Sequence, residues 1–304
     1  MRLRVWLIAV FLFVAAGCGG SSGESGGTAE GGSLESLWKR PGEDVAVIPG
    51  TSDFAPGDVR VSFLVVAGDG KLIQRPRARV WLAPSRTAAP IQEAEARLEP
   101  VGAEGSEAAA GDVRYLFVTK LRVPRPGTWW YVAEPVGGYR IQALGQLQVK
   151  PATFSPAIGA KAPASDTPTL ASTGGDLAKL STATHPDPQL YQHSVAQALE
   201  AKKPFVVAFA TPKFCASRAC GPVVDVVDDL RKEFASRGVQ FMHVEVYKDN
   251  DPNKGVNRWM REWKLQTEPW VFVVDADGKI AAKFEGSASA DELRAAIEPV
   301  AKPA

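Results

Sequence analysis

The chain has 304 residues, of which 35 are Lys or Arg and 34 Asp or Glu; 45% are apolar and 23% charged. That length is a prior for two domains, and the near-neutral balance excludes the basic excess of a dedicated nucleic-acid binder. The three cysteines, Cys18, Cys215 and Cys220, exclude a disulfide-rich scaffold and an all-cysteine, four-ligand zinc site.

Arg2 and Arg4 precede an uncharged apolar run over 5–16. As a helix this run rises only about 18 Å, too short for a bilayer core of roughly 30 Å, so it reads as a secretory signal. It ends Ala15-Ala16-Gly17-Cys18. This resembles the bacterial lipobox, which implies cleavage after residue 17 and a lipid on Cys18. The alternative is a plain secretory signal with an incidental cysteine. Residues 19–33 are almost entirely Gly and Ser, a composition that behaves as a flexible tether, here taken over 18–43. Loss of Arg2 and Arg4 leaves 33 basic residues against 34 acidic, so membrane attachment is expected through lipid rather than charge.

Over 44–150 the pattern is strand-like. Short apolar runs at 59–66, 78–82, 115–118, 128–132 and 143–149 are separated by turn signals such as Gly68-Asp69-Gly70 and Pro124-Arg125-Pro126-Gly127. One window, 91–98, carries apolar residues at helical spacing. The set predicts an antiparallel β-sandwich, and it resembles the immunoglobulin-like domains of bacterial surface proteins. Trp81, Trp129 and Trp130 are assigned to packing, with a ligand groove as the alternative. The module holds neither cysteine nor histidine. Residues 151–187, rich in Pro, Ala, Ser, Thr and Gly, form a connector too long for an ordinary loop.

From 188 to 304 helix and strand alternate. Helices are predicted at 190–201, 223–234, 259–263 and 291–300, the last with Ser289 as N-cap. Strands are predicted at 205–209, 239–247, 270–275 and 280–284, with Asp277-Gly278 turning the final hairpin. This order is similar to the thioredoxin fold over about 189–302. The run 205–211 sits like the strand leading to that family's active-site cysteines, and Thr267-Glu268-Pro269-Trp270 like the strand that opens with its cis-proline. Asp277-Gly278-Lys279 and Phe284-Glu285-Gly286 match its last hairpin and terminal glycine. An α/β thioredoxin-like domain behind an all-β sandwich is therefore the expected fold.

The resemblance implies thiol–disulfide exchange on protein thiols and disulfides, outside the cytoplasm, with a recycling partner that the sequence does not name. No cofactor and no resident metal are expected. Cys215 falls at the position of the attacking cysteine, Cys220 at that of the resolving one, and Pro269 would help hold the substrate chain. The family spacing is Cys-x-x-Cys, whereas four residues intervene here. Residues five apart in a regular helix rise about 7.5 Å, beyond the roughly 7 Å limit between disulfide Cα atoms. A bond therefore needs Cys215 in the loop before the helix, or an unwound first turn. A helix N-terminus beside Cys215, with Arg218 close in sequence, is expected to favour its thiolate. Ala208 stands where thioredoxins carry a buried acid, and His243 about where they carry a lysine; His243 is either a substitute base or simply packed.

Other classes stay open. Thr211-Pro212 ahead of Cys215 and the Cys-x4-Cys spacing resemble Q-type peroxiredoxins, although Glu268-Pro269 replaces the arginine expected there. Two cysteines and a histidine resemble copper-delivery proteins of the Sco kind, and Cu(I) favours thiolates. A static staple, or a lipid-tethered interaction protein without catalysis, completes the set.

Overall fold

A computed structural model describes residues 32–102, 113–215 and 217–303. Cys18, the signal and most of the Gly/Ser run lie outside the described residues.

The first described element is a helix, α1 (Leu34–Trp38), inside the stretch assigned above to the tether. Ser33 caps it by accepting from the Ser36 N–H. Leu34 and Leu37, three residues apart and so on one face, bury against Trp81, Ala83 and Val132. That contact orders residues which composition alone leaves free.

Seven strands follow: β1 (Val45–Pro49), β2 (Gly57–Ala67), β3 (Arg77–Ala83), β4 (Gln92–Pro100), β5 (Tyr115–Val123), β6 (Gly127–Pro135) and β7 (Ala143–Val149). They form one antiparallel sheet in the order β1-β2-β5-β4-β3-β6-β7. Bridges Glu43↔Ile141 and Phe54↔Val149 bring the flanks of β1 beside β7, so the sheet rolls around its own core. Phe63, Val80, Leu82, Phe117, Trp129 and Tyr131 fill that core. Trp81 is equally buried, under α1, so both tryptophans pack rather than line a groove; Trp130 is half-buried, with the Arg86 guanidinium 5.3 Å from its ring.

The helical spacing in 91–98 does not produce a helix. In β4, Ala94, Ala96 and Leu98 face the core while Glu93, Glu95, Arg97 and Glu99 alternate with them. The twofold period wins because it satisfies the ladder to β3 and β5 and pairs the charges: Glu93 accepts from Trp81 Nε1 (3.0 Å) and Glu95 meets Arg77 (3.3 Å).

The C-terminal region carries four strands, β8 (Phe205–Phe209), β9 (Gln240–Val244), β10 (Trp270–Val274) and β11 (Ile280–Glu285), in the order β11-β10-β8-β9. β9 runs parallel to β8, and β10 antiparallel to β8 and β11. Alternate residues of β8 and β10 feed two cores. Val206, Ala208, Val271 and Val273 meet α3 (Cys220–Phe234) and α5 (Ala290–Ile297). Phe205, Val207, Phe209, Phe272 and Val274 meet α2 (Val195–Glu200) and α4 (Arg258–Glu262). Burial on both faces is why these strands read as continuous apolar runs.

Caps account for the altered helix bounds. Ser194 and Gln197 form a capping box that starts α2 late, leaving Pro188–Tyr191 as a 3-10 turn. Ser289 and Glu292 form the second box, at α5. The connector lies along this region: Gly159 and Ala162 donate to Ile280 and Gly278, beside β11, and Ser165 donates to Glu262 (2.5 Å). The β-sheet region packs on the same unit through Arg60, whose guanidinium pairs with both Glu292 oxygens (2.7 and 2.8 Å) and donates to the Ser287 carbonyl.

Candidate functional site

β8 and β10 meet with Phe209 opposite Trp270, so the loop that leaves β8 and the turn that enters β10 share one edge of the sheet. The first carries Cys215, the second Pro269. The Glu268–Pro269 peptide is cis, and the Pro269 carbonyl accepts from the Gly286 N–H (2.8 Å).

Cys215 lies in the loop, half-buried, and Cys220 is the first residue of α3, wholly buried. Their Cα atoms are 5.9 Å apart and their sulfurs are joined. The helix thus begins at the second cysteine, three residues earlier than its apolar stripe indicates and later than a helix start beside Cys215 requires. Pro222 explains the first point: within the first turn it lacks only an N–H that has no intrahelical acceptor. The bond explains the second, since Cys215 must stay outside the helix for the sulfurs to meet. The Arg218 N–H donates to the Cys215 carbonyl (3.2 Å), and Arg218 takes a left-handed conformation at φ 57°.

Arg218 points its charge to solvent and forms no ion pair among the described residues. A nearer polar neighbour is Ser217, whose Oγ is 3.3 Å from Cys215 Sγ. On the other side, Phe214 meets Tyr247 edge-on at 6.4 Å. Glu268, half-buried beside Pro269, has its carboxyl pushed above the usual range by burial.

His243 is wholly enclosed on β9. Its Nε2 faces the Ala210 carbonyl (3.0 Å), which can only accept, so Nε2 carries the proton and Nδ1 accepts from the Tyr191 hydroxyl (2.7 Å). Burial holds its pKa below the ordinary 6.5, against the opposing influence of Glu245 and the Ala210 bond. Both nitrogens are committed to these bonds, which leaves no free lone pair directed at the cysteines.

Two groups escaped the sequence reading. Thr182, from the connector, donates by N–H (2.6 Å) and hydroxyl (2.7 Å) to the buried Glu245 carboxylate and accepts from the Lys213 N–H (3.1 Å). The connector therefore anchors the cysteine loop from beneath. Glu285, at the end of β11, accepts from the Thr267 hydroxyl (2.9 Å), two residues before Pro269. Neither stands near its partner in sequence. Thr211 is wholly buried, and its hydroxyl bonds to neither cysteine.

No curated protein matches the chain. Among solved structures, it resembles the crystal structure of a thiol:disulfide interchange protein, a thioredoxin family protein from Chlorobium tepidum TLS. That likeness has a TM-score of 0.27 and 20% identity, over 34% of this chain and 82% of that one. A family model described as a thioredoxin-like domain matches residues 191–301. The C-terminal region of this chain is a thioredoxin-like domain.

Proposed function

We propose that the chain is a lipid-anchored thiol–disulfide oxidoreductase working outside the cytoplasm, with Cys215 attacking and Cys220 resolving. One observation carries this reading: a half-buried cysteine bonded to a wholly buried one at a helix start, on the sheet edge that also holds a cis-proline. In the reducing direction the Cys215 thiolate attacks a substrate disulfide sulfur, and the S–S bond breaks with one substrate thiol leaving. The Cys220 thiolate then attacks Cys215 Sγ, closing the internal bond and releasing the second thiol. Two electrons and two protons pass to the substrate, and a second dithiol restores the pair. Access sets the order of attack. Ser217 supports the Cys215 thiolate by donating a hydrogen bond, and the substrate chain lies against Pro269.

The anchor rests on the lipobox-like Ala15-Ala16-Gly17-Cys18; among the described residues no helix is long and apolar enough to cross a membrane. The division into a signal over 1–17, a tether, an immunoglobulin-like module over 44–150, a connector and a thioredoxin-like module from 188 belongs to the same proposal. The strand order supports the immunoglobulin-like part: β1-β2-β5-β4 continued by β3-β6-β7 is the ABED and CFG order of that fold.

The test is thiol labelling with mass spectrometry across a glutathione redox series. A reversible bond above roughly −250 mV is expected of an exchange couple, whereas resistance below about −300 mV marks a staple.

A further inference from the structure

The Glu285 carboxylate joins the β-sheet region to the turn that carries the cis-proline. It is nine-tenths buried, and each oxygen accepts two hydrogen bonds. Oε2 takes the backbone N–H groups of Ser52 (2.6 Å) and Asp53 (2.8 Å). Oε1 takes the Ser52 hydroxyl (2.6 Å) and the Thr267 hydroxyl (2.9 Å). Thr267 Oγ1 accepts from Trp270 Nε1 (3.0 Å), so its own proton is directed at Glu285. A carboxylate has about four acceptor sites, and here all are filled, three from the sheet region and one from the turn.

The surroundings are built to the same end. Asp53 accepts from the backbone N–H groups of Phe154 (2.9 Å) and Ser155 (3.2 Å) and faces Lys283 Nζ at 3.5 Å. Lys283 in turn donates to Ser155 Oγ (2.7 Å), and its charge balances Asp53 and Glu285 together. A Cβ on Gly286 would run into the Gly50 carbonyl, so the two regions touch at backbone distance beside the same carboxylate. Simple docking is already supplied by Arg60 and Glu292. The Glu285 contact adds something docking does not need, a bond into the turn before Pro269.

We propose that Glu285 is a positioning residue through which the 50–53 segment of the β-sheet region holds the Thr267–Pro269 turn in place for the substrate chain. The proposal rests on the exchange reading, because the turn serves substrate only if exchange occurs. It assigns the sheet region a part in the reaction: it keeps the substrate-docking turn in register with Cys215.

The experiment compares Thr267→Val, Thr267→Ser and Ser52→Ala with Glu292→Gln, which loosens docking without touching the turn. Two substrates separate positioning from chemistry: a short disulfide-bridged peptide, which uses the turn, and a small aromatic disulfide, which does not. Losing a hydrogen bond to a charged group that aligns the turn predicts a fall of about tenfold or more in kcat/KM for the peptide, mainly through KM. That fall is expected in Thr267→Val and Ser52→Ala, with near-normal rates for Thr267→Ser, for Glu292→Gln and for the small disulfide throughout. Amide hydrogen exchange at Gly286, whose N–H is bonded to the Pro269 carbonyl, should accelerate in Ser52→Ala and stay at the wild-type rate in Glu292→Gln. Peptide kinetics in Ser52→Ala matching Glu292→Gln, or unchanged amide exchange, overturns the proposal. A wild-type protein inert on both substrates overturns the exchange reading instead, while the amide comparison still decides whether Glu285 ties the sheet region to the turn.

Discussion

Reducing the Cys215–Cys220 bond should cost the fold little, and the amount follows from the loop it closes. The bridge spans a separation of five, and its Cα distance of 5.9 Å lies at the common value for disulfides. For a closed loop of about six residues the chain-entropy relation gives about 2.2 kcal/mol at 25 °C. A thermodynamic cycle makes this the energy by which folding favours the bond. For a two-electron couple it places the folded pair about 45 mV more reducing than the same cysteines in an unfolded peptide. Two measurements should therefore agree. Urea unfolding of oxidised and dithiothreitol-reduced protein should differ by about 2 kcal/mol, and glutathione titrations of native protein and of a 211–222 peptide by the matching potential. A gap above about 4 kcal/mol would show that reduction dismantles more than the loop, and the pair would then be a structural staple. A reduced form as stable as the oxidised one would refute the entropy argument altogether.

Three further outcomes follow. His243 has a native pKa below its ordinary 6.5, so the unfolded chain binds the extra proton: stability is full above pH 6.5 and falls as pH drops below it, by at most about 1.4 kcal/mol per unit. His243→Gln should flatten the slope of urea-derived stability between pH 6.5 and 5; identical slopes would refute this. Gly145→Ala drives a Cβ into the Tyr131 ring and should cost about 1–3 kcal/mol in the sheet region, read by urea unfolding, whereas an unchanged midpoint would mean the ring yields freely. Thr182→Val removes the hydroxyl that links Glu245 to the Lys213 N–H; a loss of about 1–3 kcal/mol and faster alkylation of Cys215 in the reduced protein are expected, and unchanged alkylation would mean the connector does not hold the loop.

What was legible in the chain was local. Strands β8 and β10 announce themselves because both faces are covered, so every position is apolar; the caps Ser289 and Glu292 stand three residues apart and bond as their spacing indicates. β4 is ambiguous in the sequence because Ile91, Ala94 and Leu98 also fit a helical face, and only the ladder to its neighbours chooses between the periods. α1 was hidden in a segment judged by its Gly/Ser flank, although Leu34, Leu37 and Trp38 are a compact apolar signal. The contacts that hold the site were out of reach for a plainer reason. Ser52 and Glu285 are 233 residues apart and Thr182 and Glu245 are 63 apart, and a serine, a threonine or a glutamate carries no mark of its partner.

The four residues between the cysteines give the pair its asymmetry. With two intervening residues both thiols can share one helix start; with four, the bond forms only if the first stays outside the helix, as Cys215 does, while the second becomes its opening residue. Cys220 is wholly buried, so no substrate disulfide meets it directly. Cys215 has exposure on its side and only a serine hydroxyl for support. In the proposed exchange a substrate disulfide can therefore reach Cys215 alone, and Cys220 acts only once the mixed disulfide has brought Cys215 Sγ to it. That ordering makes the surroundings of the loop decisive. On this reading the Thr182 anchor and the Glu285-held turn set where the substrate and Cys215 meet, and each comes from outside residues 191–301 or is bonded to groups that do.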